Sequence, residues 1–60
     1  MTEREARTLK VGDRVLWDGK ADDAGTVIDK GYAAVTIQWD IGQTGMVDLR
    51  DMAAIAKAGA

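Results

Sequence analysis

Apolar and polar residues alternate in short runs along this chain, and each run is closed by residues that turn a backbone. The clearest run sets Ala33, Val35, Ile37 and Trp39 against Ala34, Thr36, Gln38 and Asp40, the two-residue period of a half-buried strand. Earlier, Gly12-Asp13 hands over to Arg14-Val15-Leu16-Trp17, so Val15 and Trp17 share one face and Arg14 and Leu16 the other. Gly25-Thr26-Val27-Ile28-Asp29 predicts a second strand entered at a glycine, the mark of a bulge or a close backbone approach. Lys30-Gly31 and Asp40-Ile41-Gly42-Gln43 read as turns, and Thr44-Gly45-Met46-Val47-Asp48-Leu49 as a fourth strand. Arg50-Asp51-Met52 predicts one helical turn, and Ala53 to Lys57 a short last strand. A competing reading makes Asp48 to Lys57 a helix: Ala, Met, Leu and Arg favour one, and Leu49, Met52 and Ile55 stand three apart.

This punctuation predicts an all-β fold: a five-stranded barrel with a polar N-terminal lead-in and one short helical turn before the last strand. Residues 1–8 form the flexible lead-in, frayed or a single helical turn; residues 9–57 form the barrel; residues 58–60 form a tail. Sixty residues make one domain, which buries only about 60% of its unfolded surface, so self-association would supplement a small core. Trp17 and Trp39 carry the phase of Val15, Val35 and Ile37, and both indoles are therefore expected to plug the barrel.

Val11-Gly12-Asp13-Arg14-Val15, Gly25-Thr26-Val27, Val35-Thr36-Ile37-Gln38-Trp39-Asp40 with Gly42, and Asp48-Leu49 with Ile55 resemble the SH3-like barrel group. Three of its branches are similar in part. The strand-three stretch and its glycine turn resemble Tudor-like domains, which implies an aromatic cage for methylated side chains drawn from Trp17, Tyr32 and Trp39. Gly12-Asp13 through Gly25-Thr26-Val27 resembles the KOW-type modules, whose intervening loop is basic and touches RNA. Here that loop, Asp18-Gly19-Lys20-Ala21-Asp22-Asp23, has three carboxylates and one lysine. Gly12-Asp13-Arg14-Val15 and Gly31-Tyr32-Ala33 resemble the type II dihydrofolate reductases more weakly. The Val-Gln-Ile-Tyr run of their catalytic strand is replaced here by Met46-Val47-Asp48-Leu49.

Composition removes most chemistry. Serine, cysteine and histidine are absent, and with them the ordinary nucleophile–base pairs, disulfides and thiolate or imidazole metal ligands. The scattered Gly12, Gly19 and Gly25 form no phosphate loop, and Asp18-Gly19-Lys20-Ala21-Asp22 lacks the oxygen spacing and terminal glutamate of a calcium loop. Neither catalytic residues, a metal nor a cofactor is expected, and the chain is not expected to be an enzyme. Eight Lys and Arg against ten Asp and Glu, a net charge of −2, give no global attraction to nucleic acid.

The expected function is protein interaction, including self-association, through outward apolar residues Leu16, Ile28, Tyr32, Ile41 and Met46, with a protein partner or a second copy. The alternative is a nucleic-acid-binding accessory module using Arg4, Arg7, Lys10 and Arg14, joined by Lys30 and Arg50. No apolar run reaches membrane-spanning length, and the charge-rich Met1 to Arg7 does not read as a secretory leader. A cytoplasmic location is expected.

Overall fold

A computed structural model describes residues 1–58 of the chain. Five strands form a single sheet: β1 (Arg14–Trp17), β2 (Ala24–Lys30), β3 (Ala34–Trp39), β4 (Thr44–Asp48) and β5 (Ile55–Lys57). Their order is β4-β3-β2-β1-β5 with every neighbour antiparallel. The sheet curls into a half-barrel. A 3-10 turn, Leu49–Asp51, precedes β5, and a helical turn α1, Glu3–Ala6, precedes the sheet.

The alternation read from the sequence sets the concave face. Val15 on β1, Val27 on β2, and Val35 and Ile37 on β3 are fully buried there. The bend arises at two places. Gly25 is squeezed between Val15 and Trp39 in the ladder. The bulge itself lies further on, between Val27 and Asp29, and it leaves Ile28 exposed. An extra residue on one strand adds local twist, which a sheet this narrow needs in order to wrap a core.

The concave face is closed by segments outside the sheet. Leu49 opens the 3-10 turn and Met52 follows it; both are buried, as is Ile55 at the start of β5, so the three are not carried by the competing helix. Asp48 caps that turn by accepting a hydrogen bond from the Arg50 amide at 2.8 Å, which fixes where the strand stops. On the other side Ala6 of the polar lead-in and Leu9 just after it are both buried in the same cluster. The lead-in's helical turn is held by a reciprocal cap: the Glu5 amide donates to Thr2 Oγ1, and the Thr2 amide donates to Glu5 Oε1. That bonding holds the Glu5 carboxyl below its usual range, the Thr2 backbone amide contributing most. Of the tail expected at residues 58–60, Ala58 donates its amide to the Arg14 carbonyl at 2.9 Å, and residues 59 and 60 lie outside the described part.

One expectation is overturned here. Neither indole belongs to the fully buried core: Trp17 is 47% exposed, and Trp39 is half-buried against the cluster's margin. The phase assigned to them was sound but their depth was not. Both stand on the last residue of a strand, and β1 and β3 end at the same mouth of the half-barrel. Aliphatic side chains fill the layers below, so the rings are left at the opening.

Candidate functional site

The two indoles meet at that mouth, ring centroids 6.2 Å apart and planes at 86°, the edge-to-face arrangement that aromatic quadrupoles favour. Each ring is positioned by a turn. After Trp17 the chain passes through Asp18 and Gly19 at φ 53° and 71°, and the Trp17 carbonyl accepts from the Lys20 amide. After Trp39 it reverses through Gly42 at φ 103°, with the Trp39 amide donating to the Gln43 carbonyl at 2.7 Å. Positive φ favours glycine at Gly19 and Gly42, so the turn chemistry and the ring positions are specified together.

Two further glycines make the space. A Cβ on Gly25 would stand 2.7 Å from both Ile37 Cγ2 and Trp39 Cε3; the bare backbone is what lets Trp39 lie across β2. A Cβ on Gly45 would meet nothing within 4 Å. An open groove of about 380 Å³ runs along the mouth, lined among others by Trp17, Trp39, Ile41, Gly45 and Met46, with half-buried Asp23 also lining it. It is an apolar trough with an aromatic end and an acidic edge.

Of the five residues expected to contact a partner, the structure brings Ile41 and Met46 together in this groove. Leu16 is half-buried, Ile28 is exposed at the bulge, and neither lines the groove. Tyr32, 92% exposed at the turn between β2 and β3, also stands outside it. The three aromatics therefore do not form one cage; only the indole pair converges.

The basic residues are largely paired on the chain itself. Arg14 makes a fork with Asp40, its Nη1 and Nη2 donating to the two carboxylate oxygens at 2.9 and 2.6 Å, and Nη1 also donates to Thr26 Oγ1. The Arg14 fork holds the Asp40 carboxyl below the usual range. Arg7 pairs with Glu3 at 2.9 Å, and Lys30 donates to the Arg7 carbonyl. Arg50 pairs with Asp48 and lowers its pKa, through the guanidinium first and the backbone amide second. Arg4 and Lys10 have no carboxylate within salt-bridge distance among the described residues, but they are spaced by Glu5 and Asp13.

Among the described residues no cluster of three or more His, Cys, Asp or Glu could hold a metal ion, and no helix is long and apolar enough to cross a membrane. Sequence reasoning missed Asp23 and Gly45 as site residues, and it offered Trp17 and Trp39 only as cage candidates with Tyr32 while expecting both indoles to be buried. A signal existed: Trp17-Asp18-Gly19 and Trp39-Asp40-Ile41-Gly42 both set tryptophan directly before a turn, which puts the ring at a strand's end. Comparisons with protein-family models, curated proteins and solved structures find no match to this chain.

Proposed function

We propose that this protein is a small, non-catalytic interaction module of the SH3-like barrel type, which accepts an extended protein segment along β4 and one of its side chains in the aromatic groove. The strand order β4-β3-β2-β1-β5, with one 3-10 turn before the last strand, supports the SH3-like reading. The observation that carries the function is the indole pair held at an open apolar mouth beside an unpaired sheet edge. Leaving Trp17 exposed and Trp39 only half-buried in so small a chain forgoes burial that its core needs. Strand addition gives affinity through main-chain hydrogen bonds, and a flanking pocket gives specificity. Asp23 lines the groove, Asp22 precedes it in the chain, and the pair of carboxylates favours a segment with basic flanks. No observation favours nucleic acid, since Arg7 and Arg14 are already engaged by carboxylates.

The test is a titration of dilute, isotope-labelled protein with a short soluble peptide of alternating valine and threonine, lysine at both ends. Saturable amide shifts confined to Trp17, Trp39 and Thr44 to Asp48 are expected, weakening as salt rises. Peptide at about millimolar concentration that leaves those resonances unmoved would refute the proposal, this being the weak end of useful affinity.

A further inference from the structure

The free edge of β4 has a register that suits a second copy of itself. At the two ends of the β3–β4 ladder the Leu49 amide donates to the Ala33 carbonyl and the Trp39 amide to the Gln43 carbonyl, and the ladder between them pairs Val35 with Val47 and Ile37 with Gly45. Antiparallel strands alternate the direction of their backbone groups. The N–H and C=O of Gly45 and Val47 therefore point to β3, and those of Thr44, Met46 and Asp48 point away from the sheet. The opposite edge is closed to this use. β5 has three residues, it carries Lys57, and its Ile55 carbonyl already accepts from the Met1 amino group. β4 has five residues with neither proline nor lysine.

We propose that two copies pair antiparallel along β4 about a two-fold axis at Met46. This rests on the reading of β4 as a strand-accepting edge and names the strand it accepts. In this register every residue of β4 finds an opposite number. Thr44, Met46 and Asp48 each exchange hydrogen bonds with Asp48, Met46 and Thr44 of the second copy, an isologous contact. Val47 of the second copy comes opposite Gly45, above the position where a side chain would meet nothing within 4 Å. Met46, 74% exposed, packs on its own symmetry mate. Asp48 faces a threonine, so no like charges stand opposed. Sliding the register by two residues in either direction leaves strand ends unpaired and moves Val47 away from the gap at Gly45.

Sedimentation over a concentration series decides the matter, on the intact chain and on Met46→Lys and Met46→Glu. The native chain is expected to pass from monomer to dimer as concentration rises. Each single variant places like charges directly across the axis and weakens association about two- to five-fold. An equimolar mixture of the two recovers it, which also shows that both variants are folded. A native chain that stays monomeric to about millimolar concentration, variants that dimerise unchanged, or a mixture that fails to recover association overturns the proposal. A monomeric chain that still binds the valine–threonine peptide at β4 defeats the second copy alone; one that does neither defeats both readings.

Discussion

Replacing Ile37 by alanine is expected to remove about 2–5 kcal/mol, a large share of the chain's stability. Ile37 is fully buried on β3, between the ladders to β2 and β4. It shares the core with Leu9, Leu49 and Met52, which come from segments outside the sheet. Truncating such a side chain costs about 2–5 kcal/mol in lost transfer energy and cavity. A domain of this length has only about 3–9 kcal/mol to lose. Circular dichroism with urea unfolding measures the difference, and Ile37→Val, expected to cost about 0.5–1.5 kcal/mol, grades it. An alanine variant as stable as the native chain would mean that Ile37 does not sit at the core.

Adding a single methyl group at Gly25 is expected to cost about 1–3 kcal/mol, the range for overpacking, whereas the same change at Gly45 is expected to be nearly neutral. At Gly25 the new carbon would be 2.7 Å from Ile37 Cγ2 and from Trp39 Cε3, with the Gln38 carbonyl oxygen at 3.1 Å. Trp39 can swing away, but Ile37 is enclosed, so relief comes mainly by displacing the indole. Gly25→Ala should therefore shift indole emission as well as lower the urea midpoint. Gly45→Ala projects into open groove and takes no strain. Equal costs at the two positions would contradict the close approach of Trp39 to β2.

The pair of glycines also shows what could be read from the residues and what could not. Alternation and turn residues placed the first four strands, because a half-buried strand must present one apolar face whatever its neighbours are; the last, Ile55–Lys57, has no such alternation and stood against a competing helix. Gly25 was marked as a bulge or a close approach. It is the close approach, and the bulge falls instead between Val27 and Asp29, where no residue type announces it. Alternation assigns a face and says nothing of depth along a strand, so it put Trp17 and Trp39 on the concave side and buried them. Depth is set by which layers other segments fill. Here Ala6, Leu9, Leu49 and Met52 fill them, and those residues reach the core from a lead-in and a connecting turn whose docking has no local signature. The groove inherits that difficulty. Ile41 and Met46 were legible as exposed apolar residues, whereas their convergence with the indoles, Asp23 and Gly45 depends on the curl that brings the ends of β1 and β3 to one mouth.

Whether the two indoles belong to the surface is decided by acrylamide quenching of the single-tryptophan chains Trp39→Phe and Trp17→Phe. The ring left at position 17 should emit at long wavelength and be quenched readily, and the ring left at position 39 should be quenched to an intermediate degree. Two blue-shifted, quencher-resistant indoles in folded protein would place both rings in a sealed interior and leave this chain without the groove proposed to meet a partner.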